Sequence, residues 1–219
     1  MIKENLTKIK SKIPENVTLV AVSKTKPTQF ISEAYNCGHR DFGENKVQEL
    51  VEKAELLPKD IQWHMIGHLQ RNKVKYIAPF IALIHGVDSF KLLKEVNKQA
   101  KKNERKIDIL LQFHIAKEDS KFGFSYEEVS EMLNDENFIQ LSSVNIRGVM
   151  GMATLTKNKN QITEEFKTLK NYFLRLQSSY FEHNNDFNII SMGMSGDYRI
   201  AIEEGSNMIR VGSAIFGER

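Results

Sequence analysis

Cysteine is almost missing from this chain: Cys37 is the single one in 219 residues, which excludes an internal disulfide and fits a reducing compartment. A strong net charge is missing too. The formal balance is +3, from 31 basic and 28 acidic side chains, and offers no broad field for nucleic acid. Long hydrophobic runs are also lacking. The longest apolar stretch, residues 77–87, is broken by Pro79, His85 and Gly86 and is too short to cross a bilayer. Met1-Ile2-Lys3-Glu4-Asn5 has none of the apolar core of a signal peptide. No repeat, boundary or long linker interrupts the sequence. The expectation is a cytoplasmic protein whose residues 1–219 form a single domain, large enough to bury roughly 70–75% of its unfolded surface.

What the chain does contain is a steady alternation of short β-like runs with amphipathic stretches. Strands are expected over residues 18–23, 40–42, 61–66, 82–87, 106–113, 146–150, 187–192 and 207–211. Helical stretches are expected after Pro27 and over 45–56, 71–78, 89–103, 125–133, 161–178 and 198–204. Pro27 suits a first helical turn and Ser89 an N-cap, while Ser125 and Glu128 have capping-box spacing. Residues 116–123 and 156–160 read as loops. Eight strands, each but the last followed by a helix, predict an α/β fold: a parallel (β/α)8 barrel of the TIM type. A doubly wound open sheet is the second choice.

The first strand, Thr18-Leu19-Val20-Ala21-Val22-Ser23, runs directly into Lys24. Period-2 alternation puts Val20, Val22 and Lys24 on one face. If that face is the barrel interior, Lys24 reaches the C-terminal end, where barrels keep their sites and where desolvation favours the neutral amine. The alternative is an exposed strand-end lysine. Lys26 has the same parity, but its position before Pro27 directs it outside the pocket. After the seventh strand come Gly193, Ser195 and Gly196, and after the eighth Gly212 and Ser213. Small-residue turns at these two places can hold a phosphate, although ordinary turn chemistry also uses them. An amine that condenses with an aldehyde, together with a phosphate cradle, points to pyridoxal 5'-phosphate (PLP).

Arg210 interrupts an apolar strand and needs a partner. It has two options: an ion pair with Asp197, Glu203 or Glu204, or the ring nitrogen of a bound pyridine. Asn45 either lines the pocket mouth or caps the helix behind it. His64 and His68 lack the helix and glutamate of a zinc-binding pair, so no metal is expected. His64 reads as a core histidine and His68 as a polar pocket residue. The cluster Arg71, Lys73, Lys75 and Tyr76 reads as a solvated helix face. Met150, Met152, Met192 and Met194 read as pocket or core packing.

Three segments carry a wider resemblance: Val20-Ala21-Val22-Ser23-Lys24-Thr25-Lys26-Pro27, Phe42-Gly43-Glu44-Asn45-Lys46-Val47-Gln48-Glu49 and Trp63-His64-Met65-Ile66-Gly67-His68-Leu69-Gln70. With residues 191–197 and 209–217 they closely resemble the PLP homeostasis protein family, over essentially the whole chain. That family is similar to the N-terminal barrel of alanine racemases, without their C-terminal β domain. The resemblance implies PLP held on Lys24 as a Schiff base. It puts the phosphate against Ser195, Gly212 and Ser213, Arg210 at the pyridine nitrogen, and Asn45 and Met192 along the cofactor. Ser213 stands where many relatives carry threonine, and Phe113-His114-Ile115 departs from the usual Val-Asn-Ile.

The resemblance favours a non-catalytic PLP protein that stores, buffers or delivers the cofactor. Its partners are then PLP-dependent apo-enzymes or B6-vitamer enzymes. The alternative is a PLP-dependent amino-acid racemase, which needs acid–base groups on both faces of the substrate α-carbon. A class I aldolase would need a relay group beside Lys24, for which Asp41 and Asp108 are the acids available. A nucleic-acid module is weaker still. A monomer is expected.

Overall fold

The computed structural model describes residues 1–118 and 122–218, so the loop expected over 116–123 lies partly outside the described residues. Eight strands form a closed, all-parallel barrel in sequence order. They are β1 (Thr18–Val22), β2 (Asp41–Glu44), β3 (Gln62–Met65), β4 (Leu83–Val87), β5 (Ile107–Phe113), β6 (Val144–Gly151), β7 (Ile189–Ser191) and β8 (Met208–Val211). The barrel closes where Val20 of β1 lies opposite Arg210 of β8. Around it run α1 (Ile2–Lys10), α2 (Thr28–Asn36), α3 (Val47–Leu56), α4 (Val74–Ile77), α5 (Phe90–Lys102), α6 (Tyr126–Asn134), α7 (Lys159–Tyr180), α8 (Tyr198–Glu203) and α9 (Ser213–Phe216).

Two cores follow from the alternation along the strands. One set of side chains packs outward under the helices. The other, Val20, Leu83, Leu110, Met150 and Met208, meets inside the barrel. An inward face that is part apolar and part polar is what lets the barrel interior hold both a packed plug and a functional chain of side chains.

The local signals mostly behave as expected. Ser89 Oγ accepts from Leu92 N at 3.3 Å, and Ser125 with Glu128 forms a full capping box. Three elements differ from expectation. Helix α1 was not expected, although Ile2, Leu6 and Ile9 form its buried stripe. Helix α9 follows the last strand, where none was expected. The stretch expected as one helix over 71–78 is a 3-10 turn (Arg71–Lys73) leading into α4. Smaller shifts also occur. Pro27 is the N-cap of α2 rather than a first-turn residue, β2 extends to Glu44, and β7 is confined to Ile189–Ser191. Phe187 lies outside β7, stacked 5.0 Å from Phe173 and 4.2 Å from Phe181.

Gly148 sits where the pairing of β5 with β6 slips by one residue, at φ +149. A Cβ there would lie 1.9 Å from the Ile189 carbonyl oxygen. Gly148→Ala is therefore expected to lower unfolding free energy by at least about 2 kcal/mol, measured by urea denaturation.

Candidate functional site

The C-terminal mouth of the barrel opens on a cavity of about 390 Å³. Its wall includes Lys24, Asn45, Ser195, Arg210, Gly212 and Ser213, residues drawn from the ends of four strands spread across the sequence. The parity argument for Lys24 holds: Val20 packs inside the barrel, while Val22 and Lys24 line the cavity. Lys26 lines it as well, contrary to expectation. Its Nζ donates to the Glu218 carbonyl at 2.8 Å, which brings the side chain back over the rim.

The segment around Lys24 is held from both sides. Thr25 takes a left-handed backbone conformation, φ +63, costly for a β-branched residue. Its N–H donates to Glu49 Oε1 at 2.5 Å. On the other side, Ser23 Oγ donates to Glu44 Oε1 at 2.6 Å. Lys53 ties the two together: its Nζ donates to Ser23 O (2.8 Å), Glu44 Oε1 (2.7 Å) and Glu49 Oε1 (2.7 Å). Glu44 is fully buried, and burial raises its pKa against the pull of Lys53 and Ser23. This clamp was not foreseen. Its one sequence signal was a lysine, Lys53, on the inner stripe of α3 beside Leu50 and Ala54.

Asn45 does not cap α3, whose N-cap is Lys46. Its Oδ1 is buried with no hydrogen-bond partner among the described residues. A buried acceptor left open costs about 1–3 kcal/mol, so a donor from a ligand is its natural complement. Arg210 makes none of the ion pairs considered for it. Its Nη1 donates to Ser191 Oγ at 2.5 Å and its Nη2 to the Gly151 carbonyl at 3.1 Å. Burial brings its pKa down to about 10, with Asp197 opposing, so the guanidinium stays charged at neutral pH.

Two small-residue turns complete the wall. Gly212 N donates to Ser195 Oγ at 3.3 Å, joining the turns after β7 and β8. A Cβ on Gly212 would lie 3.0 Å from the Val22 carbonyl, whereas around Gly196 there is open space. The backbone at Gly196 is therefore open to close approach by a ligand. Met192 is not on this wall: its side chain is fully buried in the outer core, and Met152 and Met194 line the cavity instead. An amine, an open amide acceptor, a fixed cation and two small turns suit a ligand with a carbonyl, a ring and a phosphate. The residues fit PLP.

Other expectations resolve elsewhere. His68 pairs with Asp88 at 3.0 Å in a neighbouring cleft and stacks on Phe122 at 4.1 Å. His64 is the core histidine expected. Among the described residues no group of three or more His, Cys, Asp or Glu is placed to hold a metal ion. Asp41 and Asp108 start their strands at the mouth opposite Lys24, where Asp108 holds Asn145 and Arg147, so neither serves as a relay beside the lysine. Among the described residues no helix is long and apolar enough to cross a membrane.

The family model described as the alanine racemase N-terminal domain matches residues 1–219. The chain belongs to that family. A pyridoxal phosphate homeostasis protein from Aquifex aeolicus is 39% identical over 202 residues, 92% of this chain and 86% of that one. Relatives at this level also make the chain a member of the pyridoxal phosphate homeostasis protein family. PipY of Synechococcus elongatus, solved with PLP bound, superimposes with a TM-score of 0.90 at 34% identity, covering 99% of this chain and all of PipY. The alanine racemase of Clostridium difficile shares the fold, with a TM-score of 0.73 at 13% identity, and this chain covers 56% of its length.

Proposed function

We propose that this chain binds PLP on Lys24 and serves PLP homeostasis by storing, buffering or delivering the cofactor in the cytoplasm. It acts as a monomeric, single-domain barrel over residues 1–219. The observation that carries the reading is the meeting of Lys24, the open acceptor of Asn45 and the fixed Arg210 guanidinium at one cavity. When bound, PLP supplies an aldehyde that condenses with a primary amine. Lys24 offers that amine from a backbone fixed on both sides. Ser195, Gly212 and Ser213 hold the phosphate. Arg210 faces the ring nitrogen and, being a permanent cation, keeps that nitrogen unprotonated, which weakens the ring as an electron sink. Asn45 lines the cofactor, and Met192 supports the cradle from the core behind it.

Carriage is favoured over racemisation by what surrounds Lys24. Racemisation needs acid–base groups on both faces of a substrate carbon. Among the described residues lining the cavity there is no tyrosine or histidine, and Lys26 is tied to Glu218. The expected recipients are PLP-dependent apo-enzymes or enzymes of B6 vitamers.

The test compares wild type with Lys24→Ala after incubation with PLP and gel filtration. Wild type is expected to retain a visible chromophore and to pass it to an apo-enzyme, without turning over D- or L-alanine. Lys24→Ala is expected to elute colourless. A coloured variant, or racemisation at an enzyme-like rate, contradicts the reading.

A further inference from the structure

Five inward-facing polar side chains, each on a different strand, form one unbroken chain through the barrel. Arg210 Nη1 lies 2.5 Å from Ser191 Oγ, and Ser191 Oγ lies 3.0 Å from His85 Nδ1. His85 Nε2 lies 2.9 Å from His64 Nδ1, and His64 Nε2 lies 3.2 Å from Asp41 Oδ1. The chain begins at the Lys24 cavity and ends at the opposite mouth, where Asp41 is 34% exposed. His85 and Ser191, in its middle, are wholly buried.

The direction of every bond follows from its two ends. Arg210 can only donate. Ser191 Oγ therefore accepts from it, and the one acceptor open to the Ser191 hydroxyl among the described residues is His85 Nδ1. His85 then carries its proton on Nε2 and donates to His64 Nδ1, since two N–H groups cannot face each other at 2.9 Å. His64 in turn carries its proton on Nε2 and donates to Asp41. Asp41 is ionised at neutral pH: burial opposes its charge, but the His64 hydrogen bond and the nearby Lys10 favour it, and its pKa lies below the ordinary carboxylate value. The opposite order would need a protonated Asp41 and would leave the Ser191 hydroxyl without an acceptor. All four bonds thus point one way, from a cation to an anion, and each polarises the next.

We propose that Asp41, at the far mouth of the barrel, positions the Arg210 guanidinium through this one-way chain of His64, His85 and Ser191. Asp41 is a positioning residue, acting from outside the cavity. The effect on cofactor affinity rests on the PLP reading above; the proton arrangement does not. Arg210 has one further anchor, the Gly151 carbonyl, so removing Asp41 is expected to loosen the guanidinium without releasing it.

Long-range nitrogen-15 NMR on the unloaded protein at neutral pH reads the histidine tautomers, assigned through ring-to-backbone carbon correlations. Both His64 and His85 are expected as neutral rings protonated on Nε2. Either ring protonated on Nδ1, or charged, overturns the proposal whether or not PLP binds. In Asp41→Ala, the His85 ring, still fixed from the Arg210 end, is expected to keep its Nε2 proton but to shift its nitrogen-15 signals as the chain loses its anionic terminus, and PLP affinity to fall about two- to thirtyfold. Asp41→Asn, which keeps an acceptor for His64, is expected to retain the tautomers and most of the affinity. If Asp41→Ala only lowers the melting temperature, leaving the His85 signal and PLP affinity unchanged, Asp41 is merely structural and the proposal falls. Wild type with both expected tautomers but no affinity for PLP would keep the proton arrangement and reject the cofactor reading instead.

Discussion

Lys53→Ala is expected to cost about 3–5 kcal/mol of stability and to weaken PLP retention at the same time. Lys53 is nearly buried, and Glu44, its partner at 2.7 Å, is wholly so. Removing the ammonium leaves a buried carboxylate with only the Ser23 hydroxyl for support, and with Glu49 close enough to repel it. The pH dependence gives the mechanism a signature. Burial already raises the Glu44 pKa, and loss of Lys53 raises it further. A raised carboxyl takes up a proton more readily folded than unfolded, so the variant's deficit shrinks as pH falls and widens as pH rises. The functional loss has a separate route. Glu49, freed from Lys53, no longer holds the left-handed Thr25, and the Lys24 backbone loses its fixed direction. Urea denaturation at pH 5 and pH 8, with PLP titration of the variant, checks both parts. A deficit independent of pH contradicts the buried-charge account.

Acid should also destabilise the wild type earlier than carboxylate protonation alone predicts. His39 is buried beside Phe42 and donates from Nε2 to the Asp41 carbonyl at 2.9 Å. Burial, reinforced by Lys10, lowers its pKa to about 4. The ring therefore stays neutral when folded but protonates near 6.5 when unfolded. Unfolding takes up a proton between those values, so stability falls as pH drops from 6.5 toward 4, by about 3 kcal/mol from this residue. His85 adds to the loss in the same direction, its pKa held well below the ordinary value by burial and by His64 and Arg210. Denaturation midpoints from pH 7.5 to pH 4 should show this slope, and His39→Gln should flatten it. A profile flat down to pH 4.5 contradicts the account.

The parts legible in the sequence were those written in local periodicity. Alternation along the first strand put Lys24 inside, and the barrel's closure on β8 brought Arg210, Gly212 and Ser213 to it. Parity failed where the backbone leaves the extended region. Gly193, at φ +97, breaks the alternation after β7, so Met194 lines the cavity, whereas Met192, expected there from the resemblance, keeps the alternation and packs in the outer core with Ile190. Helix α1 was missed because lysines at 3, 8 and 10 dilute a stripe of only three apolar residues. The clamp and the interior chain could not be read at all as groups. Asp41, His64, His85, Ser191 and Arg210 share no spacing in the sequence, and closure of the barrel alone brings them together.

The most direct test of the central claim is borohydride reduction of the PLP-incubated wild-type protein, followed by peptide mass mapping. The account predicts one pyridoxyl adduct, on the peptide that carries Lys24. An unmodified Lys24, with no adduct or with the adduct on Lys26 or another surface lysine, would contradict it.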